Sequence, residues 1–432
     1  MRFNLKKCNC NCGRIHFFDS KILIGEGVVI NLPEIIEDWG AKKVFIYSDL
    51  NTYSAAGERV CEILKEANIE FKKFVFNKKI IEPDEASVGL AVMNFDTECD
   101  VIVGVGSGVI NDICKIVSNV SGKRYIIVAT APSMDGFASA TSSMNKEGLK
   151  VSLDSRCADV IIGDTDILCE APKKLLLSGL GDMLAKYISI CEWRISNIIN
   201  GEYYCEEIAG LVRSSVKKCV DNAEGLLKRE KHAVGAVFEG LIICGAAMKF
   251  AGISRPASGI EHYLSHIWDM RAVEFGTAVE LHGIQCAVGT LMSVGLYEKL
   301  AKIVPDKKKA LDYVACFDFE AWCEELNRFL GRGARNMIAL EEKDKKYDKE
   351  KHAARIDIII DNWDKILNVM YVNLFKDYKP DLSPRKPQPL SGKLNTHNEN
   401  TFEARYVWLP IEWEGDMPRL RWYDKWRIEA LI

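Results

Sequence analysis

The sequence predicts an α/β domain built on a parallel sheet, followed by an all-α domain. Two patterns and one turn carry that expectation. Over the first third, short apolar runs rich in β-branched residues alternate with stretches of helical periodicity, as in a parallel sheet covered by helices. Beyond about residue 166 the apolar segments lengthen and keep a helical period. Within the first region a strand runs straight into a glycine-rich turn and a helix, V-I-V-G-V-G-S-G-V-I-N-D over residues 101–112.

Strands are expected at Val44–Tyr47, Phe71–Phe76, Val101–Val105, Tyr125–Ala129 and Val160–Ile162. Ala55–Ala67 and Glu85–Asn94 carry helical spacing between them. Ser142–Leu153 reads as a hairpin turning at Lys146-Glu147-Gly148. Later helices are expected at Leu175–Ile195, Ala209–Asn222, His232–Ala251, Ile260–Met270, Gly283–Val304 and Phe319–Leu330. This divides the chain into an α/β domain at 1–165, a helical domain at 166–378, and a linker with an aromatic-rich tail at 379–432. The tail holds Trp408, Trp413, Trp422 and Trp426. It cannot form a core alone and is expected to dock on the main body or on another subunit.

The chain has 432 residues, 48% hydrophobic and 27% charged, with a net charge of −4. That balance suits a soluble globular protein and offers no overall basic surface for nucleic acid or an anionic membrane. No apolar run approaches the length needed to cross a bilayer, and the N-terminus lacks the apolar core of a signal peptide. A cytoplasmic location follows as the expectation, and the 15 cysteines then read as reduced thiols. Cys8, Cys10 and Cys12, with His16 after them, could bind a soft metal. Their spacing differs from paired C-x-x-C zinc motifs, so a loop with partly buried thiols is the other reading.

The glycine turn is Rossmann-like in character. Glycines let backbone N–H groups approach a phosphate, and the helix N-terminus favours negative charge. The spacing G-x-G-x-G departs from G-x-G-x-x-G, so a tight turn without ligand stays open. Asp49 ends an expected strand and is a candidate for the adenosine ribose hydroxyls, which would favour NAD over NADP; capping the next helix is the alternative. The loop from Thr130 to Ser139 offers hydroxyls to a pyrophosphate or nicotinamide, and Asp135 could bond a substrate hydroxyl; a loop that only caps a helix is the alternative.

Three of seven histidines, His262, His266 and His282, fall close together in an apolar helical region. His262 and His266 stand four apart on one helix face. Asp182, beside Gly181, opens or interrupts a helix and offers a carboxylate; an ordinary N-cap is the alternative. One Asp with two His suits a catalytic divalent site with open positions for substrate. The protease motif H-E-x-x-H is excluded, because the glutamate here precedes the first histidine.

Taken in order, G-V-G-S-G-x-I-x-D (104–112), T-A-P-S-x-D-G (130–136), G-D-M-L-x-K (181–186), S-R-P-A-S-G-x-E-H-x-x-S-H (254–266) and L-H-G (281–283) resemble the sn-glycerol-1-phosphate dehydrogenase family. That family belongs to the iron-containing alcohol dehydrogenase superfamily, with a dehydroquinate synthase-like architecture. The resemblance covers roughly residues 10–375 and is closest to the bacterial type. It implies that Gly106, Ser107, Gly108, Val109 and Ile110 hold NAD (or NADP), together with Thr130, Ala131, Pro132, Ser133 and Ser139. It makes Asp182, His262 and His282 the ligands of one divalent ion, zinc or nickel, with iron in relatives. Asp135, His266 and Asp182 would meet the substrate, a small phosphorylated triose or glycerol. The implied reaction interconverts dihydroxyacetone phosphate and sn-glycerol 1-phosphate in a homodimer or larger homo-oligomer. Arg255, Lys150 and Lys186 are candidates for the substrate phosphate. Glycerol dehydrogenase, another superfamily enzyme, or a non-catalytic nucleotide- or metal-binding protein are the alternatives.

Overall fold

A computed structural model describes residues 10, 12–14, 16–78, 80–147, 149–375, 411–414 and 417–420. The chain divides into two compact units, Met1–Asp269 with Glu280–Gly295, and Met270–Val279 with Leu296–Ile432.

The first unit is organised on a parallel sheet. Its strands are β1 (Lys21–Gly25), β2 (Lys43–Asp49), β3 (Glu70–Phe76), β4 (Val101–Gly106), β5 (Arg124–Ala129) and β8 (Val160–Asp164). Between the last two runs an antiparallel hairpin, β6 (Thr141–Lys146) and β7 (Leu149–Asp154), with Glu147 at φ 53 in its turn. The sheet order is β1-β8-β5-β4-β2-β3. All five strands expected from the sequence are present; β1, K-I-L-I-G, is additional.

Alternation along the strands sends neighbouring residues to opposite faces. Val44, Ile46, Val101, Val103 and Val105 pack with Leu32, Ile35, Val60 and Leu64 on one side. Phe45, Tyr47, Ile102 and Ile127 pack on the other with Ile113, Val117, Phe238 and Leu241. Both faces are apolar, so both are covered, which is why the strands read as continuous hydrophobic runs. From β2 the chain continues outward to β3, whereas from β4 it continues the opposite way to β5. The carboxyl ends of β2 and β4 therefore flank the point where the winding reverses, the crevice where open α/β sheets bind ligands.

Long helices complete this unit: Lys173–Asn200, Glu206–Asp221, Lys231–Ala251, and the greater parts of Ile260–Phe275 and His282–Leu300. Asp182 lies well inside Lys173–Asn200 and does not open a helix, contrary to the sequence expectation. Lys231–Ala251 is long and apolar enough to cross a membrane, which also corrects the expectation that no segment is. Its side chains are largely buried against the sheet and neighbouring helices.

The second unit contains Phe319–Leu330, as expected, and four helices not read from the sequence: Lys307–Cys316, Ala334–Lys343, Lys349–Asp361 and Trp363–Met370. Asp306, Asp318 and Asp348 each accept a backbone N–H at 3.0 Å and cap the helices that follow them. Within the tail, Ile411–Glu414 (β9) pairs antiparallel with Met417–Leu420 (β10). The linker at 381–400 and Trp408, Trp422 and Trp426 lie outside the described residues.

Candidate active site

The expected cofactor residues gather at the ends of β2, β4 and β5. The helix Gly108–Ser121 starts directly after β4, and its N-cap, Ser107, makes no side-chain capping bond. The first-turn N–H groups of such a helix have no partner within it and point at whatever occupies the turn. Ser107 Oγ instead lies 2.5 Å from Ser133 Oγ and donates to Ala131 O, linking the β4 turn to the β5 loop. Thr130 N donates to Gly106 O across the same gap. Val109 is half-buried, and Ile110, Ala131 and Pro132 pack inward. Asp49 Oδ1 accepts the N–H groups of Asn51 and Thr52 at 2.8 and 2.9 Å, so this carboxylate caps the next helix. Ser139 Oγ bonds Gly136 O, Thr141 O and the ammonium of Lys115. Lys115 carries no sequence signal of its own. It is fully buried three residues after Asp112 and ties down the carbonyl ends of the Asp135 loop.

The second set converges from three helices. Asp182 comes from Lys173–Asn200, His262 from Ile260–Phe275, and His282 is the first residue of His282–Leu300. Ligand atoms of Asp182, His262, His282 and Cys286 all lie within 4.8 Å of one another. His262 Nε2 stands 3.7 Å from Asp182 Oδ1, and the His262 and His282 rings meet edge-on with centroids 5.0 Å apart. His266, one turn beyond His262, falls outside the cluster and stacks on His282 at 6.2 Å. Close helix approach makes this possible. A Cβ on Gly283 would lie 1.9 Å from Ser178 O, and one on Gly181 would lie 2.3 Å from Gly283 O.

Each imidazole is oriented from behind. His262 Nδ1 donates to Glu261 Oε1 at 2.8 Å, which turns a bare Nε2 toward Asp182. His282 Nδ1 donates to Ser265 Oγ at 3.1 Å; Ser265 donates to Gln285 Oε1, and Gln285 donates to Asp269. These relays are the hydrogen-bonded support that metal-binding histidines require. Sequence reasoning missed both relays, although Ser265 and Gln285 each lie three residues after a histidine of the cluster. Cys286 was also missed; the H-x-x-x-C spacing after His282 is the signal that places it on the same face.

Two carboxylates share one ammonium in the site. Lys186 Nζ, fully buried, lies 2.6 Å from Asp182 Oδ1 and 2.7 Å from Asp135 Oδ2, and donates to Ala257 O. Asp135 N donates to Asp182 Oδ2 at 2.8 Å. Burial opposes the Asp182 carboxylate, but the Lys186 ammonium and both imidazoles outweigh it and hold its pKa at about 2. Burial also opposes the Lys186 charge, and the two carboxylates keep its pKa well above the ordinary value. Burial and then Lys186 push His262 down to about 3, and burial with its histidine neighbours pushes His266 down to about 4. Burial pushes the Cys286 thiol well up. An ionised carboxylate and a neutral imidazole with Nε2 exposed are the forms that bind a divalent cation. The donor set therefore fits one, with the carboxylate and the two histidines as ligands.

Among the phosphate candidates, Arg255 pairs with Glu202 at 3.0 Å and Lys186 is held by Asp135 and Asp182. Lys150, on β7, forms no ion pair with a described residue, and its charge acts on both Asp112 and His266.

A dinucleotide-type crevice in the same compact unit as an Asp/His/His cluster is the plan of a metal-dependent dehydrogenase of alcohols. The model of the family described as iron-containing alcohol dehydrogenase matches residues 23–172. A protein of Halalkalibacterium halodurans named glycerol-1-phosphate dehydrogenase (NAD(P)+) is 32% identical over 298 residues, 68% of this chain and 75% of its own length. One of Bacillus licheniformis with the same name is 31% identical over 296 residues, 67% of this chain and 74% of its own. The crystal structure of glycerol dehydrogenase from Schizosaccharomyces pombe shares the fold, with a TM-score of 0.54 at 17% identity, over 84% of this chain and 94% of that one. The chain belongs to the iron-containing alcohol dehydrogenase family, with the glycerol-1-phosphate dehydrogenases among its relatives.

Proposed function

We propose that this chain is a metal-dependent sn-glycerol-1-phosphate dehydrogenase that interconverts dihydroxyacetone phosphate and sn-glycerol 1-phosphate with NAD(P)H. The observation that carries the reading is the Asp182/His262/His282 cluster beside His266 and Asp135, in a chain 32% identical over 298 residues to a protein of that name. A divalent ion held by Asp182, His262 and His282 would supply Lewis-acid polarisation of the C2 oxygen. Gly106–Ile110 and Thr130–Ser133 would hold NAD(P)H, which would supply the hydride.

The remaining work falls to side chains. Lys186 fixes the Asp182 and Asp135 carboxylates 2.6 and 2.7 Å from one ammonium, so both point the same way before substrate arrives. Asp135 would accept a substrate hydroxyl. His266, neutral at physiological pH, would exchange the C2–OH proton with solvent. Lys150, which has no carboxylate partner among the described residues, would meet the phosphate. That last feature favours a phosphorylated substrate over glycerol, the runner-up. NAD is the proposed cofactor through Asp49, and zinc or nickel the proposed metal, with iron as the alternative.

The test is a reduction assay with NADH or NADPH across added Zn²⁺, Ni²⁺ and Fe²⁺, with chiral analysis of the product. Dihydroxyacetone phosphate should be turned over to sn-glycerol 1-phosphate. A product of sn-glycerol 3-phosphate, or equal turnover of unphosphorylated dihydroxyacetone, would overturn the proposal.

A further inference from the structure

A second cluster of ligand atoms lies apart from the Asp182 site and shares no residue with it. Cys10, Cys12 and His16 come from the N-terminal loop, and Cys205 from the turn before helix Glu206–Asp221. Cys10 Sγ is 3.0 Å from Cys12 Sγ and 3.0 Å from His16 Nε2. Cys12 Sγ is 3.1 Å from His16 Nε2. Cys205 Sγ is 3.6 Å from Cys10 Sγ and 3.9 Å from His16 Nε2. All four ligand atoms lie within 4.8 Å of one another. A tetrahedral zinc site with Zn–S of about 2.3 Å and Zn–N of about 2.0 Å has edges of roughly 3.5–3.8 Å. The observed separations bracket that range.

The surroundings are those of a ligand set. His16 is completely buried, and its Nδ1 donates to Phe250 O at 3.0 Å, leaving Nε2 with sulfur partners. A buried imidazole whose outer nitrogen is tied to a carbonyl is in the tautomer that binds metal. Cys205 occupies a helix N-cap position yet makes no capping bond; its thiol turns to the cluster. Tyr203 Oη donates to Cys12 Sγ at 3.2 Å, a further bond suited to a thiolate. Arg14 holds the loop from outside, its guanidinium 3.5 Å from the Tyr203 ring centre and bonded to Ala251 O at 2.7 Å.

We infer that Cys10, Cys12, His16 and Cys205 form a structural zinc site that clips the N-terminal loop to the helical part of the first unit. Three thiolates and one imidazole with no open position make a closed tetrahedral site, which supports the fold and takes no part in hydride transfer. Cysteines of this chain thus serve as soft-metal ligands at one place, while the Asp182 site uses harder donors.

The test is made on the full chain purified with Zn²⁺ in the growth medium. Metal analysis of the His282→Ala protein, which lacks a ligand of the other site, should give one zinc per chain. X-ray absorption of that zinc should show a sulfur-dominated shell of three S and one N. Cys205→Ser should lose one zinc equivalent relative to the unaltered chain, unfold at lower temperature, and keep turnover per folded molecule. The sulfur shell should also be present in the unaltered protein, so the reading does not depend on either variant folding. Absence of a zinc–sulfur shell in the unaltered protein, full zinc retention by Cys205→Ser, or a Cys10–Cys12 disulfide in freshly purified protein would overturn the inference.

Discussion

Replacing Gly283 by alanine tests whether helix contact sets the Asp182–His282 geometry. Gly283 follows His282, and Ser178 stands one turn before Asp182. The new Cβ would sit 1.9 Å from the Ser178 carbonyl oxygen, where ordinary contact begins at 3.4 Å. The shortfall, 3.4 − 1.9, is about 1.5 Å, and the atom met is backbone, so the helices must part. Overpacking of this kind costs about 1–3 kcal/mol. Displacement of reacting groups by about 1 Å costs on the order of 100-fold in rate. Gly283→Ala should therefore lower kcat/KM by about 100-fold, reduce bound metal, and lower the urea midpoint. Gly295→Ala is the control: it lies on the same helix, nothing stands within 4 Å of the place its Cβ would take, and it should stabilise by about 0.4–1 kcal/mol. Wild-type metal content and turnover in Gly283→Ala would refute the reasoning.

Three further outcomes are expected. Ser265→Ala removes the acceptor behind His282 and should weaken metal binding by about 10–100-fold, read by competition with a chelator; unchanged affinity would make the relay incidental. Asp49→Ser keeps a capping hydroxyl but loses the carboxylate, so stability should hold while KM for NADH rises; an unchanged KM would leave Asp49 as a cap alone. Lys72 and Lys43 hold the Asp96 carboxyl below its ordinary range. Because that folded-state pKa is depressed, the stabilisation is present above about pH 4 and is lost as pH falls. Asp96→Asn should flatten the fall of urea midpoint below about pH 4, where this stabilisation is lost; an unaltered slope there would assign the acid sensitivity elsewhere.

The strands were legible because a doubly covered parallel sheet demands unbroken apolar runs, as in Val101–Gly106, buried throughout. β1 was not, since K-I-L-I-G is short and its partner, β8, lies far along the chain. Asp182 was legible as a partner of the histidines it clusters with, but it was misplaced within its helix. Gly181 read as a break, whereas it and Gly179 admit Gly283 O and Pro132 O at distances no side chain permits. The histidine cluster was visible because histidine is scarce here. Its supports were not, because Ser265, Gln285 and Asp269 acquire their roles only when two helices pack. Cys205 shows the same limit: it stands far from Cys10 in sequence and meets it only in the folded chain.

The pairing of β1 with β8 also sets an order of events. Lys21 faces Val160, so the strand of this sheet that leaves the ribosome earliest has no partner until the sheet's last strand appears. The pairs β2–β3, β2–β4 and β4–β5 close earlier, around shorter loops. Asp182 follows soon after β8, but His262 and His282 come much later in the chain. A growing chain thus carries every strand of this sheet before it carries His262 and His282, so the residues of the Asp182 cluster are the last of the two sets to be present together.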